Sequence, residues 1–407
     1  MTVSDLRGLS RMTFDAIAGV ADLAQALQLE IVDRVAGRAG PLKKPVVLGT
    51  NLVYGGVRGV SRTIGRGLDA GLAKVAPLLG ARSNWPGREA ALAVLNGVLG
   101  DYLYESGNPL AVPMRWRSNG VPLAIETGAL GAAFPDASGH LLVYLHGLCM
   151  NDLELRRNGH DHAQELAQEF GCTAIHLHYN TGRHISHNGR ELAAQLQSLV
   201  AKWPVPVQRI DLLGHSMGGL LARSACHHAD EARLPWRGQL GKLITLGTPH
   251  HGAPLERGGS WLRHLIDRSA LTAPFARLVK ARSAGITDLG FGNVRDSDWE
   301  GQEYTAPSDR RAPLSLPKGV ECYAIGASVV RLGAATREAL AGTLGDGLVP
   351  LGSALGQHPD PEKDLHFPLA RQAVVPAIHH LDLLDNQAVY AQLRAWLAKR
   401  ESAIIDV

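Results

Sequence analysis

The chain has 407 residues, of which 45% are hydrophobic and 19% are charged, and its formal net charge is +3. This composition excludes a wholly disordered chain, and the small net charge gives no reason to expect nucleic-acid binding. The length suffices for one large domain with an appended region.

Cysteine spacing and hydropathy predict a soluble, cytoplasmic protein. The four cysteines are far apart and form no C-x-x-C pair, which favours buried thiols over a disulfide framework or a zinc site. The N-terminus lacks the apolar run of a signal peptide, and no run approaches the length that crosses a bilayer. The cysteines are Cys149, Cys172, Cys226 and Cys322.

Residues 1–108 have the pattern of a helical N-terminal extension. Apolar residues recur at helical steps in three stretches, at 6–35, 53–75 and 89–104. The second stretch carries arginines near its polar side, as a helix on a membrane surface would. Packing against the rest of the protein or a second subunit is the alternative, and we favour it because helical faces usually serve a core.

From about residue 109 short apolar runs predict buried strands, with helical segments between several of them. Two of these helical segments are Asp152–Phe170 and Gly189–Lys202. The alternation predicts an α/β fold with a mostly parallel central sheet flanked by helices. The predicted strands are Leu123–Ile125, Leu141–Leu145, Thr173–Leu177, Ile210–Leu213, Lys242–Leu246 and Glu321–Ile325.

The alternation stops between about residues 255 and 317. This stretch contains large apolar residues such as Trp261 and Leu265, followed by a polar segment with prolines. An insertion of this length after a core strand predicts a lid or cap over a site, and a surface excursion is the alternative. We therefore predict a helical region at 1–108 and an α/β domain with a lid at 109–407.

Ser216 is the candidate nucleophile. It lies in Gly-His-Ser-Met-Gly at 214–218, between a strand-like run and a helix-like run. This context is typical of a nucleophile elbow, in which a tight turn holds a serine at the end of a strand. Glycines two before and two after the serine let the strand and helix approach closely. An ordinary serine in a glycine-rich turn is the alternative.

A serine nucleophile needs a base to take its proton, and an imidazole suits this role because its pKa lies near neutral pH. A carboxylate must then orient the imidazole, and in this architecture the chain order is serine, acid, histidine. That order favours Asp346, between two glycines, with a turn aspartate as the alternative. The adjacent His379 and His380 are the candidate bases. Competing carboxylates are Asp364, Asp382 and Asp385.

Five segments occur in the order expected of α/β-hydrolase lipases and esterases. From about residue 139 to 398 the chain resembles the bacterial lipase-like group that is similar to the catalytic domain of glycosylphosphatidylinositol inositol-deacylases. The resemblance does not cover the N-terminal helical third. The segments are LHGL at 145–148, GHSMG at 214–218, TLGTPHHGAP at 245–254, GDGLVP at 345–350 and HLDLL at 380–384.

The resemblance implies roles for particular residues. It places the catalytic histidine just before Leu-Asp-Leu-Leu, which favours His380 over His379. A tetrahedral oxyanion needs two backbone donors, and one is the N–H of Met217, the residue after the nucleophile. The other is implied to be Leu148, in the loop after the strand at 141–145, where Gly147 lets the backbone turn inward.

These features predict a serine carboxylic ester hydrolase that acts through an acyl-serine intermediate, with no cofactor and no metal. The apolar lid predicts hydrophobic esters as substrates, such as lipids, medium-chain acyl esters or polyesters. An acyltransferase on the same fold is one alternative, because fold does not fix function. A lipid deacylase or binding module, recruited to a membrane or partner by the N-terminal helices, is another.

Three further features are given structural or accessory roles. Arg183 is expected to brace the loop at 180–184 rather than to bind an anionic head group. His250 and His251 are expected to shape a strand end, because their spacing does not fit a metal site. Cys149 and Met150 are expected to line the acyl pocket.

Overall fold

The computed structural model describes residues 11, 88–253, 283–301, 309, 311–330 and 345–398. The predicted helices at 6–35 and 53–75, and most of the predicted lid, lie outside the described residues. The chain divides into two compact units. One unit is Met1–Arg88 with Glu105–Ala111, and the other is Glu89–Tyr104 with Val112–Val407.

In the described part of the second unit, eight strands form one sheet in the order β2-β1-β4-β3-β5-β6-β7-β8. Strands β3 to β8 pair in parallel, whereas β1 pairs antiparallel with β2 and β4. The predicted α/β fold with a mostly parallel sheet is therefore confirmed. The strands are β1 (Arg115–Ser118), β2 (Val121–Pro122), β3 (His140–Leu145), β4 (Thr173–His178), β5 (Arg209–His215), β6 (Leu240–Leu246), β7 (Glu321–Ser328) and β8 (Gln372–Pro376).

Helices flank this sheet. Helix α5 packs on β3, β5 and β6 and against α4, whereas α8 packs against α3 and β8. The helices are α1 (Arg88–Glu105), α2 (Thr127–Ala133), α3 (His162–Phe170), α4 (Ile185–Lys202), α5 (Met217–Glu231), α6 (Ala284–Phe291), α7 (Leu351–Ala354) and α8 (Gln387–Ala398). Among these residues no helix is long and apolar enough to cross a membrane.

Strand β3 shows why the sheet forms where the apolar runs predict it. Leu141 to Leu145 are all 0% exposed, so both faces of the strand are covered, as in a parallel sheet between helical layers. Leu142 and Tyr144 belong to one core cluster with Leu166 of α3 and Trp396 of α8. Burial on both faces positions the loop that follows Leu145.

The prediction and the structure differ at both edges of the sheet. The predicted strand Leu123–Ile125 is absent, and β1 and β2 form a hairpin just before it. Its turn consists of Asn119 and Gly120, both with positive φ (47° and 77°), as tight hairpin turns require. Strand β8 was not predicted, because most of its residues are only half-buried and the apolar run is short.

The predicted helix Asp152–Phe170 is also wrong, because a turn interrupts it. A short 3-10 helix covers Asp152–Leu155, and α3 begins only at His162. Between these two helices, Asn158 and Gly159 both have positive φ. Asp161 then caps α3 by accepting hydrogen bonds from the amides at 163 and 164. Polar caps of this kind begin a new helix.

Candidate active site

Ser216 lies between the last residue of β5 and the first residue of α5, in a strained conformation. Its φ is 54° and its ψ is −121°, a region that non-glycine residues rarely adopt. A Cβ on Gly214 or Gly218 would lie within 2.5 Å of backbone atoms, so the turn requires both glycines. Ser216 N donates to Leu246 O at 2.8 Å, and Thr248 Oγ1 donates to Ser216 O at 2.9 Å.

Asp346 and His380 form a buried pair. Their exposed fractions are 1% and 3%, and His380 Nδ1 lies 2.6 Å from Asp346 Oδ2. The other carboxylate oxygen accepts from Leu348 N at 3.0 Å and from Val349 N at 2.8 Å. With the Nδ1 proton directed at the carboxylate, Nε2 is the nitrogen that remains to accept a proton.

The competing residues have other contacts. His379 is exposed, and its amide donates to Asp382 Oδ2 at 2.8 Å. Asp382 pairs with Arg157 at 2.9 Å, and Asp364 accepts from His366 N at 2.7 Å. The structure therefore brings His380, and not His379, onto the Asp346 carboxylate.

The three predicted residues meet around Gly247, the residue after β6. A Cβ on Gly247 would lie 3.0 Å from His380 Cε1 and 3.1 Å from Asp346 Oδ2. The amide of Ser216 donates a hydrogen bond to the carbonyl oxygen of Leu246, the residue before Gly247. Within the described residues Ser216 Oγ makes no hydrogen bond to His380. Such contacts are often long in enzymes without substrate and tighten when the substrate binds.

The residues of the two predicted oxyanion donors lie next to Ser216. Leu148 follows Gly147, where a Cβ would lie 3.0 Å from the Ser216 Cβ, so the glycine allows the close approach. Met217 is the first residue of α5, where the helix dipole favours negative charge. Among the residues that the structure describes, neither amide has a hydrogen-bond acceptor. Both predicted oxyanion donors therefore remain available to a ligand.

His146 orients the Gly147–Leu148 peptide, a role that sequence analysis did not find. Its Nε2 accepts from Tyr179 N at 3.3 Å, which assigns the proton to Nδ1, and Nδ1 lies 3.0 Å from Gly147 O. Burial lowers the pKa of His146 to about 3, so the ring stays neutral. Because C=O and N–H point in opposite directions in a trans peptide, this bond directs the Leu148 N–H away from the histidine.

Helix α1 packs on the loops around the site. A Cβ on Gly97 would lie 2.2 Å from Cys149 Sγ, and Cys149 is 0% exposed with a φ of 58°. Met150 is also buried and belongs to the core. Met150 Sδ would also lie 3.4 Å from a Cβ on Gly147, beside Ser216. The expectation that Cys149 and Met150 line the acyl pocket stays a prediction.

The loop at 180–184 is held by its own side chains. Thr181 Oγ1 accepts from Cys149 N at 3.1 Å, and Asn180 Nδ2 donates to Gly100 O at 2.8 Å. Arg183 donates to Glu191 Oε2 at 2.6 Å and lies 3.8 Å above the Tyr104 ring. These contacts brace the loop, as the sequence predicts for the arginine.

Residues 136–311 match the family model of the PGAP1-like alpha/beta domain. This segment contains Ser216, Leu148 and Met217, whereas Asp346 and His380 lie beyond it. The chain has an α/β-hydrolase fold. The match confirms the resemblance to the α/β-hydrolase lipase-like group that the sequence motifs predicted.

Three solved structures that resemble part of the chain are named lipases or esterases. The mature lipase BlEst2 of Bacillus licheniformis is 18% identical, with a TM-score of 0.40, over 63% of this chain and 91% of the lipase. The lipase of Staphylococcus hyicus is 14% identical, with a TM-score of 0.36, over 64% of this chain and 94% of that one. The Pyrococcus furiosus esterase Pf2001 is 13% identical, with a TM-score of 0.36, over 64% of this chain and 83% of the esterase. No curated protein matches the chain.

Proposed function

We propose that the protein is a serine carboxylic ester hydrolase that acts through an acyl-serine intermediate. Ser216 is the nucleophile, His380 the base and Asp346 the acid of the proposed triad. The observation that carries this proposal is the buried Asp346–His380 pair, at 2.6 Å, beside a serine in a strained turn. Strained backbone is found mainly at functional sites, because surrounding structure must compensate for it.

In the proposed acylation step, His380 Nε2 takes the Ser216 Oγ proton as the oxygen attacks the ester carbonyl carbon. The carbonyl oxygen becomes an oxyanion, which accepts from the Leu148 and Met217 amides. The C–O bond to the alcohol then breaks, and His380 returns the proton to the leaving oxygen. Asp346 stabilises the imidazolium that exists between these events.

In the proposed deacylation step, water replaces the alcohol. His380 Nε2 takes a proton from the water as its oxygen attacks the acyl carbon, and the same two amides hold the second oxyanion. The bond to Ser216 Oγ breaks, the serine recovers its proton from His380, and a carboxylic acid leaves. No step needs a cofactor.

Hydrophobic esters are the proposed substrates, with lipids, medium-chain acyl esters and polyesters as candidates. The support is the apolar composition of the insertion after β6, which includes Trp261, Leu265 and Phe275. Large apolar side chains in an insertion of this kind favour acyl chains over small polar groups.

Hydrolysis of p-nitrophenyl esters from acetate to palmitate tests the proposal. Wild-type protein should hydrolyse the longer esters faster than acetate, and Ser216→Ala should lose the activity. A fluorophosphonate probe should add its mass to Ser216 of the wild type, in a labelled peptide, and not to the variant. Ser198→Ala, at an exposed serine whose hydroxyl only contacts Ala194 O, is the matched control.

Three outcomes would contradict different parts of the proposal. Activity that persists in Ser216→Ala would exclude the serine mechanism. Ester turnover that begins only when an alcohol or thiol acceptor is added, with the acyl group recovered on the acceptor, would identify an acyltransferase instead of a hydrolase. Preference for acetate would exclude hydrophobic esters while leaving the mechanism intact.

A further inference from the structure

We propose that a small, partly open cavity beside α5 binds a small anion of about halide size, such as chloride. The cavity has a volume of about 20 Å³, which is room for one or two water-sized groups. It lies between α5, the loop after β6 and the segment at 311–314. Its lining includes four cationic side chains, those of Arg223, Arg295, Arg311 and Lys363, and one carboxylate, that of Asp298.

Arg223 is a buried cation without a carboxylate partner among the described residues. The residue is 5% exposed, its Nη2 donates to Leu314 O at 3.0 Å, and its Nη1 lies 3.4 Å from His250 Nδ1. Its Nε is buried and has no hydrogen-bond partner in the described part of the chain. Burial lowers the pKa of Arg223 to about 10, so the group still carries its charge near neutral pH. A buried charge of this kind requires a counter-ion.

Within the described parts of the chain, the other cations of the cavity share two carboxylates. Arg295 Nη2 lies 2.8 Å from Asp298 Oδ1, and Arg311 Nη2 lies 2.9 Å from Asp309 Oδ2. Lys363 Nζ donates to the Asp309 carbonyl at 2.7 Å and lies 3.7 Å from the same Oδ2. Among the residues that the structure describes, four cations against two carboxylates leave two positive charges around the cavity.

The two histidines of the lining add no charge. Burial holds the pKa of His250 well below its ordinary value and lowers the pKa of His251 to about 4. His250 Nδ1 faces Arg223, so Nε2 carries the proton and points to Thr245 Oγ1 at 3.3 Å. The lining therefore offers N–H donors and net positive charge, which is the chemistry of an anion site.

The proposed anion would connect α5 with the loop after β6. Ser216, Asp346 and His380 do not line the cavity. Arg223 is seven residues from Ser216 along α5, which is about 10 Å of helix. His250 follows Thr248, whose hydroxyl donates to Ser216 O. An anion bound to Arg223 would hold the middle of α5 against the loop after β6. We therefore expect its main effect on stability, whatever reaction the protein catalyses.

Thermal unfolding of the full chain tests the site. The Tm in chloride should exceed the Tm in gluconate at equal ionic strength by roughly 2–4 °C. This difference should increase with chloride concentration and then saturate. Arg223→Met should abolish that difference, because it removes the uncompensated charge. Arg183→Met should retain it, because Arg183 is similarly buried, with 12% of its side chain exposed, but has Glu191 as its own partner at 2.6 Å.

Crystals of the wild-type protein grown in bromide give a direct readout that needs no variant. Anomalous density should appear inside the cavity, within about 3.5 Å of Arg223 Nε, the outer range of such contacts. Equal melting temperatures in chloride and gluconate, together with no bromide in the cavity, would overturn the proposal. Chloride dependence that survives in Arg223→Met would place the anion elsewhere and would also overturn it.

Discussion

His380 makes two hydrogen bonds to Asp346, one from its side chain and one from its backbone. Its Nδ1 lies 2.6 Å from Asp346 Oδ2, and its backbone amide donates to the Asp346 carbonyl oxygen at 3.1 Å. The two residues come from separate loops, after β7 and after β8. The double contact fixes the position of the imidazole as well as its orientation, so Nε2 keeps a constant direction.

Substitution of the two adjacent histidines should separate their roles. His380→Ala should lower kcat/KM for the best ester by about 10⁴-fold or more, as loss of a triad histidine does. His379→Ala should stay within about threefold of wild type, since this side chain is exposed and does not contact Asp346. Steady-state kinetics with both variants measure this, and a larger loss in His379→Ala would reverse the assignment.

Asp346→Asn should lower kcat by about 10⁴-fold, because the amide cannot hold the imidazole in the required tautomer. The fold should survive, since the asparagine oxygen can still accept from the amides of Leu348 and Val349. Asp364→Asn, at a carboxylate that accepts from backbone amides on the surface, is the control. Kinetics and thermal unfolding of both variants decide, and similar activity in the two would argue against Asp346 as the acid.

Two helical glycines should respond in opposite ways to alanine. A Cβ at Gly97 would lie 2.2 Å from Cys149 Sγ, whereas a Cβ at Gly128 would meet nothing within 4 Å. Gly97→Ala should cost about 1–3 kcal/mol of stability and should lower kcat, because Cys149 follows Leu148. Gly128→Ala should be neutral or gain up to about 1 kcal/mol. Denaturant unfolding measures both, and equal effects would contradict the packing described for α1.

Stability should fall as the pH drops from about 6.5 to 4. Burial lowers the pKa of His162 to about 4, whereas histidine in an unfolded chain has a pKa near 6.5. In this window the unfolded state binds more protons than the folded state, so the free energy of unfolding decreases with falling pH. The contribution of His162 amounts to about 3 kcal/mol.

Denaturant unfolding between pH 7 and 4 measures this effect. His162→Phe should show a shallower loss of stability than wild type. His366→Phe, at an exposed histidine, should match the wild-type slope. Parallel curves for wild type and His162→Phe would show that other groups determine the acid response. Asp309, whose pKa neighbouring Arg311 helps to lower to about 2, loses its contribution as the unfolded aspartate titrates below about pH 5. The comparison of slopes is therefore made between about pH 7 and 5.

The interior strands could be predicted from sequence, and the edges could not. Strand β3 is a continuous apolar run because both of its faces are buried. Strands β1 and β8 have few fully buried residues, so their composition differs little from that of a loop. The turn before α3 had a readable signal in Asn158-Gly159 followed by Asp161, but the apolar spacing across 152–170 concealed it.

The residues of the candidate site also fall into those that the sequence could predict and those that it could not. Ser216 could be predicted because strand, turn and helix are local features. Residue type and spacing do not separate His379 from His380, and only the resemblance in the HLDLL segment favours His380. The physical difference between the two is a contact with Asp346, 34 positions away. The roles of His146 and Thr248 depend on hydrogen bonds to backbone carbonyls, and such contacts leave no signal in residue type or spacing.

The backbone at Ser216 has a consequence for engineering. A non-glycine residue at a φ of 54° and ψ of −121° costs on the order of 1–3 kcal/mol, and glycine at this position would release that strain. A search for thermostable variants would therefore favour a substitution that removes the proposed nucleophile. Stability and chemistry make opposite demands on this residue, so thermostabilisation should be directed to positions far from the turn.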